Sequence, residues 1–211
     1  MVLGGLARLS GQKVIIIGYQ EDTLAESVKF PGSDGYRKSI RLMNLAETFK
    51  KPVVVFIDIP KIKHLPSQQK TDEYLVQALE SMLNLSVPIV SAIIGTYNDS
   101  LVFDLCASDR VLMLEQATCE IPLPEKTSDT KSAGTLHLKA QDLLGLHIVD
   151  RTIKCSSNRN PKSLGNAWKK AILDEIHQLS QNSTEVLIEQ RLNSLQRRFS
   201  GLKSMKSGNS L

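Results

Sequence analysis

The chain has 211 residues, of which 41% are hydrophobic and 23% are charged. These proportions are typical of a globular protein with a buried core and exclude a largely disordered chain. The 26 basic and 22 acidic side chains leave a net charge of only +4 and are mixed along the chain, which argues against nucleic-acid binding. Its apolar runs are too short to cross a bilayer, and residues 1–8 lack the layout of a secretory signal.

The cysteines give a second constraint. There are three of them, Cys106, Cys119 and Cys155, and none forms a CxxC pair. An odd count without such a pair argues against a disulfide framework and against a zinc site. We therefore expect a cytoplasmic α/β or α+β protein that binds no metal, with Cys106 as a small buried side chain on a helix.

Four short apolar runs predict strands, at 14–18, 53–58, 88–95 and 111–114. Each run is nearly continuous, and β-branched residues dominate the first three, which is typical of strands that are covered on both faces. Helix-spaced apolar residues lie between them, and this alternation predicts βαβ units with a parallel sheet. These apolar residues are Tyr36, Ile40 and Met43, followed by Tyr74, Leu75, Ala78, Leu79 and Met82.

The pattern changes after Leu114. Residues 115–135 are rich in Ser, Thr, Pro and charge, which predicts a loop. Two helical stripes follow, and Asn160-Pro161 is a typical start for the first. We expect a single domain over residues 1–200 and a flexible tail over 201–211. The first stripe comprises Leu164, Trp168, Ala171, Ile172, Ile176 and Leu179; the second comprises Ile188, Leu192, Leu195 and Phe199.

Few side chains stand out as candidates for chemistry. The four histidines, His64, His137, His147 and His177, form no local metal-ligand pair and are not expected to be catalytic. Asp58 ends the second predicted strand and Asp109 precedes the fourth. A carboxylate at the carboxyl end of a strand can bind a ligand or cap a neighbouring loop, and the cap is favoured slightly.

The most informative segment is the predicted turn 95–100, after the third strand. A helix that begins near Ser100 would point free backbone N–H groups at one position, as in an oxyanion-binding site. Close approach of the backbone favours glycine, and only Gly95 is a glycine. The triplet Asn98-Asp99-Ser100 is more typical of a helix cap, so the residues alone make catalysis in this turn doubtful.

Six motifs resemble one known family. They are GGLARLSGQ (4–12), VIIIGYQ (14–20), GYRKSIRLM (35–43), FID (56–58), VPIVSAIIG (87–95) and DRVLMLE (109–115). In this order they are similar to the carboxyltransferase α subunit of bacterial-type acetyl-CoA carboxylase, from Val2 to about Leu179. GYRK-x-x-RLM is the most specific of them.

The resemblance implies a fold and an activity. It implies the crotonase-like superhelix of ββα units, followed by C-terminal helices, within the α/β class. In the family, the α subunit pairs with a β-type subunit as α2β2, and the complex moves a carboxyl group from carboxybiotin to acetyl-CoA. The β subunit supplies much of the acyl-CoA site, and the α subunit supplies the biotin side.

The chain also departs from the family. The resemblance begins at Val2, so the helical region with which family members begin is expected to be absent. The segments 59–65 and 123–126 depart from the family's glycine-containing motifs. Where the family has Gly-Glu-Gly-Gly-Ser-Gly-Gly-Ala, residues 95–102 read GTYNDSLV. Tyr97, Asn98, Ser100 and Leu101 thus replace four family glycines, which include the pair whose N–H groups hold the biotin carbonyl or its enolate. A side chain at each position blocks close approach, and the loss of one oxyanion donor costs about 10²–10³ in rate.

These departures favour an α-type subunit that pairs with a β-type subunit but has lost its own biotin-side site. The complex is expected to decarboxylate malonyl thioesters, bound to coenzyme A or to an acyl carrier protein, in fatty-acid or polyketide metabolism. Gly95, Thr96, Tyr97 and Asn98 are the predicted substrate-binding residues, no catalytic residue is assigned, and the chain itself binds no cofactor. The alternatives are a working acetyl-CoA carboxylase α subunit that makes malonyl-CoA, and a non-catalytic scaffold or regulatory subunit.

Overall fold

The structure is a computed structural model that describes residues 2–20, 32–58, 69–95, 97–98, 107–122, 135–154 and 161–206. These ranges contain nine strands and five helices. The strands are β1 (Val2–Leu9), β2 (Gln12–Gln20), β3 (Val53–Asp58), β4 (Ile89–Ile93), β5 (Tyr97–Asn98), β6 (Arg110–Leu114), β7 (Thr118–Pro122), β8 (Thr135–Lys139) and β9 (Arg151–Ile153). The helices are α1 (Ser33–Phe49), α2 (Gln69–Leu83), α3 (Ala140–Gly145), α4 (Pro161–Leu179) and α5 (Thr184–Lys206).

Six strands form the main sheet, in the order β1-β2-β3-β4-β6-β9. Strands β2 to β9 of this sheet are parallel. The edge strand β1 is antiparallel to β2, and the two are joined by Ser10 and Gly11, which both have positive φ values, as two-residue hairpins require. Because the other strands are parallel, their starts share one edge of the sheet, here called the amino edge. Their ends share the opposite edge, the carboxyl edge.

Both faces of the sheet are covered, as the continuous apolar runs predict. Alternate strand residues belong to two buried clusters. Ile15, Val55 and Ile93 pack in the cluster that contains α1 and α2 residues, whereas Val14 and Val54 pack against α4. All four predicted strands are confirmed, with no end displaced by more than two residues, and Pro161 begins α4 as predicted.

A second, smaller sheet was not predicted. It has three strands in the order β5-β7-β8, with β5 parallel to β7 and β7 antiparallel to β8. Strand β7 lies within residues 115–135, so the prediction of a loop there is wrong for 118–122. The reason is tertiary: β7 pairs with two segments, 97–98 and 135–139, that are distant in sequence and show no strong apolar run.

Helix α5 buries a different face from the predicted one. Over residues 184–201 of this helix, the buried residues are Leu187, Arg191, Ser194 and Arg198. In the predicted apolar stripe, Leu192 is 42% exposed. The two arginines are buried because they bind carbonyl and carboxylate oxygens at the amino edge. The helix continues to Lys206, which is beyond the expected domain end at residue 200; residues 207–211 lie outside the described residues.

Candidate functional site

The carboxyl edge brings Asp58 and Gly95 together. Asp58 is the exposed last residue of β3, and Gly95 follows the end of the neighbouring strand β4. The Ile94 N–H donates a 3.0 Å hydrogen bond to the Ile57 carbonyl oxygen, which holds the two strand ends side by side. The Asp58 carboxylate lies so close to the α-carbon of Gly95 that a Cβ there would overlap Oδ1. Glycine is therefore the residue that leaves room for this carboxylate.

The predicted turn after β4 is partly a strand. Tyr97 and Asn98 form β5, which pairs with β7 at Cys119 and Glu120. This pairing commits the backbone at 97–98 to a β-ladder, whereas the sequence predicted a turn that leads into a helix cap. Thr96, Asp99 and Ser100 lie outside the described residues, as does the predicted helix with Cys106. Of the four predicted substrate-binding residues, the structure thus describes Gly95 at the carboxyl edge and the backbone of residues 97 and 98.

Asp109 lies at the opposite edge from Asp58. It precedes β6, and its Oδ2 accepts a 2.7 Å hydrogen bond from the Ile89 N–H, so it caps the start of β4 and not a loop after the carboxyl end of a strand. It also forms a buried ion pair with Arg191, in which Nε and Oδ1 are 2.8 Å apart. Both carboxylate oxygens of Asp109 are thus bound to other parts of the fold. The structure gives no support to the alternative that Asp109 binds a ligand.

Among the histidines, His137 has an acidic partner that the sequence analysis missed. Its Nδ1 lies 3.4 Å from Oε1 of Glu120, across the β7–β8 ladder. No local motif could reveal this pair, because residues 121–136 separate its members. His147 and His177 are exposed, and His64 lies outside the described residues.

A groove between α1 and α2 carries a concentration of polar side chains. Its volume is about 500 Å³. The Arg37 guanidinium carbon lies 5.9 Å from the centroid of the Tyr74 ring, a geometry that permits a cation–π interaction. Arg37 and Arg41 lie off the predicted core face of α1, as the helix periodicity indicates. The residues that line the groove are Asp34, Arg37, Ile40, Arg41, Tyr74 and Gln77.

The described part of the chain offers neither a metal site nor a membrane-spanning helix. There, no three His, Cys, Asp or Glu side chains come close enough to hold a metal ion. Cys119 is buried, and Cys155 lies outside the described ranges. Among the helices in those ranges, none combines the length and hydropathy needed to cross a membrane.

The architecture defines the class of protein. A parallel sheet covered by helices on both faces, with a small second sheet and C-terminal helices, is the crotonase fold, and solved structures agree. The Pseudomonas malonate decarboxylase MdcD–MdcE hetero-dimer matches with a TM-score of 0.64 at 10% identity, covering 90% of this chain and 82% of that one. An enoyl-CoA hydratase from Bacillus halodurans matches with a TM-score of 0.61 at 8% identity, covering 99% and 91%. At such identities these structures confirm the predicted fold alone.

Sequence comparison identifies the family. Residues 1–198 match the family model described as acetyl co-enzyme A carboxylase carboxyltransferase-like. The acetyl-coenzyme A carboxylase carboxyl transferase subunit alpha of Xanthomonas campestris pv. campestris is 33% identical over 90% of this chain and 66% of its own length. The subunit of the same name from Zymomonas mobilis is 35% identical over 83% and 62%. The chain therefore belongs to the carboxyltransferase α-like family, as its motifs predict, and it spans about two thirds of the length of these relatives.

Proposed function

We propose that this chain is an α-type subunit of a heteromeric carboxyltransferase-like complex, which decarboxylates malonyl thioesters on coenzyme A or an acyl carrier protein. The observation that supports this proposal most directly is the residue types and backbone conformation at positions 97 and 98. Family membership supplies the fold and the expectation of a β-type partner. The family's glycines are absent at positions 97 and 98, and the backbone there is an extended, paired strand.

These residues do not fit a site for carboxybiotin. A biotin-side oxyanion site needs converging N–H groups and room for the ligand against the backbone. Tyr97 and Asn98 each place a Cβ where the family has none, and the ladder with β7 engages the local backbone. No step of the proposed reaction therefore passes through biotin.

Decarboxylation is the half-reaction that remains without biotin. A malonyl thioester loses CO₂ to form a thioester enolate, and donors that stabilise that enolate accelerate the step. In the proposed complex the β-type subunit supplies these donors. This chain supplies Gly95 to Asn98 as part of the wall around the departing carboxylate, and it binds no cofactor itself. A hetero-dimeric malonate decarboxylase has this fold, which supports the proposal that a protein of this fold takes part in a decarboxylation.

The experiment uses this chain co-purified with the carboxyltransferase β-type subunit of the same organism. Malonyl-CoA and, separately, malonyl-acyl carrier protein are supplied without biotin, and the acyl product is followed by mass spectrometry. Acetyl-thioester formation that requires both chains supports the proposal, and the better substrate identifies the carrier. Unchanged substrate would overturn the proposed activity and favour a scaffold or regulatory role.

A second candidate is an acetyl-CoA carboxylase α subunit that makes malonyl-CoA. The names of the relatives at 33–35% identity favour it. Carboxyl transfer from carboxybiotin to acetyl-CoA by the wild-type complex would establish this candidate. If only the quadruple variant Tyr97→Gly, Asn98→Gly, Ser100→Gly, Leu101→Gly shows such transfer, the degenerate biotin site is the better explanation.

A further inference from the structure

The small sheet aligns three residues from three separate segments. Asn98 of β5 is in register with Glu120 of β7, and Glu120 is in register with His137 of β8. Neighbouring strands lie about 4.8 Å apart, so the backbone of His137 is about 10 Å from that of Asn98. The third strand of this sheet therefore brings a histidine to within about 10 Å of the segment that we propose as the substrate-binding wall, on the far side of β7.

The geometry of the Glu120–His137 pair is suited to proton transfer. The Glu120 side chain is 16% exposed, whereas that of His137 is 60% exposed. Because Nδ1 faces the carboxylate at 3.4 Å, Nε2 is the ring nitrogen that can meet a ligand. A carboxylate beside one ring nitrogen restrains the orientation of the imidazole and leaves the other nitrogen to a ligand, which is the arrangement that a general acid or base needs.

We propose that His137 is the proton donor to the thioester enolate and that Glu120 is its positioning residue. This inference rests on the proposed function. The bond between the α-carbon and the carboxylate carbon of the malonyl group breaks, and CO₂ leaves. The electron pair of that bond remains on the thioester as the enolate. Protonated His137 then transfers the Nε2 proton to the α-carbon, which gives the acetyl thioester and a neutral imidazole. Water restores the proton to His137.

The reverse of the proton step gives a direct test. By microscopic reversibility, neutral His137 removes an α-proton from acetyl-CoA, so the complex exchanges these protons for deuterium in D₂O. Mass spectrometry of acetyl-CoA measures this exchange, and the decarboxylation of malonyl-CoA is measured in parallel. We expect His137→Gln to slow exchange by at least about 100-fold, the usual contribution of a general acid–base group. His177→Gln, which changes an exposed histidine on α4, is the matched control and is expected to exchange as the wild type does.

Two further variants separate chemistry from folding. His137→Ala is expected to regain exchange when imidazole is added, which a misfolded complex would not do. Glu120→Gln is expected to lower the exchange rate at an unchanged KM for acetyl-CoA, and Glu120→Asp to restore part of it. A merely structural cross-strand pair would show neither behaviour.

The possible outcomes test the role of His137 separately from the proposed decarboxylation. Normal exchange by His137→Gln in a complex that decarboxylates malonyl-CoA overturns the inference and leaves the function standing. Exchange that depends on His137, in a complex that does not decarboxylate, supports the inference and overturns the proposed reaction. A wild-type complex that shows neither exchange nor decarboxylation overturns both.

Discussion

The two edges of the parallel sheet hold their charged side chains in opposite ways. At the amino edge, Arg191 is fully buried and donates hydrogen bonds to Asp109 and to four main-chain carbonyls, those of Met82, Leu83, Leu85 and Val87. At the carboxyl edge, Asp58 is exposed beside Gly95. A buried charge requires complete pairing, whereas an exposed carboxylate can reorient toward a ligand. Under the proposed function, the amino edge serves stability and the carboxyl edge serves ligand contact, so substitutions at the two edges should have separable effects.

The largest effect is expected at the amino edge, from Arg191→Ala. This change leaves Asp109, which is 3% exposed, without its ion-pair partner and removes the donors of four carbonyls. Breaking a buried ion pair in this way costs about 3–5 kcal/mol. The free energy of unfolding, measured by urea denaturation followed by circular dichroism, should fall by that amount.

The control for this prediction is Arg197→Ala. Arg197 lies on the same helix, but its side chain is 53% exposed and 4.0 Å from Asp150. Exposed ion pairs contribute about 0–1 kcal/mol. Equal losses for the two variants would contradict the view that buried pairing stabilises this edge.

The next effect concerns how closely α5 approaches the amino edge. A Cβ on Gly201 of α5 would lie 2.7 Å from the carbonyl oxygen of Leu146, in the turn that leads into β9. Gly201→Ala must displace the helix or the turn, and we expect a loss of about 1–3 kcal/mol in the free energy of unfolding. Gly165→Ala is the matched control, because a Cβ at this helical position of α4 meets nothing within 4 Å. It should instead stabilise the protein by about 0.5–1 kcal/mol through helix propensity; the same sign for both variants would refute the prediction.

The difference between the edges also explains what the sequence could predict. The strands 53–58 and 111–114 were predictable because burial on both faces demands continuous apolar runs. The buried face of α5 was not, since Arg191 and Arg198 are polar by type and become buried only through oxygens supplied by distant segments. In α5 the hydrophobic pattern therefore indicated residues one position away from the buried ones.

Prediction of the candidate site was also limited by contacts between segments that are distant in the sequence. The motif order identified the family, and the position of Gly95 after a strand followed from its apolar run. Glu120 and His137 meet because β7 and β8 pair in one particular register. That register is a long-range property, since the two residues are 17 positions apart in the sequence. No local propensity specifies that register, so the three-stranded sheet and its histidine could only be found in the structure.

At the carboxyl edge, Gly95→Ala should separate activity from stability. The new methyl group meets the far end of the Asp58 side chain, which is exposed and can rotate away. We expect less than about 1 kcal/mol of change in the free energy of unfolding. The rate of acetyl-thioester formation by the complex should fall about 10- to 100-fold, because the displaced carboxylate and the added methyl group disturb substrate positioning.

Gly145→Ala serves as the control for this variant, since a Cβ at that position meets nothing within 4 Å, and its activity should equal that of the wild type. A loss of stability for Gly95→Ala as large as that for Arg191→Ala would show that the carboxyl edge belongs to the framework as well.

The smallest effect is expected from a substitution of Glu47 at the amino edge. Glu47 lies near the end of α1 and contacts Ser86, in the segment before β4. Its carboxylate accepts hydrogen bonds of 2.9 Å and 2.7 Å from the N–H and the hydroxyl of Ser86, and it pairs with Lys50. Partial burial raises the pKa of Glu47, but the hydrogen bonds from Lys50 and Ser86 outweigh it and lower the pKa from 4.5 to about 2.

A carboxyl pKa that is lower in the folded state stabilises the protein above the unfolded pKa of 4.5. This stabilisation is lost as the pH falls toward 2. Because the Glu47 side chain is 41% exposed, solvent screening limits the contribution to about 0.5–1 kcal/mol. Glu47→Gln should therefore lower the free energy of unfolding by that amount at pH 7 and by progressively less between pH 4.5 and 2, as followed by urea denaturation at each pH. Glu80→Gln, at an exposed position on α2, is the matched control and should leave the free energy of unfolding at pH 7 within about 0.5 kcal/mol of the wild-type value. A pH-independent loss for Glu47→Gln would mean that packing against Ser86, rather than the charge, joins α1 to this edge.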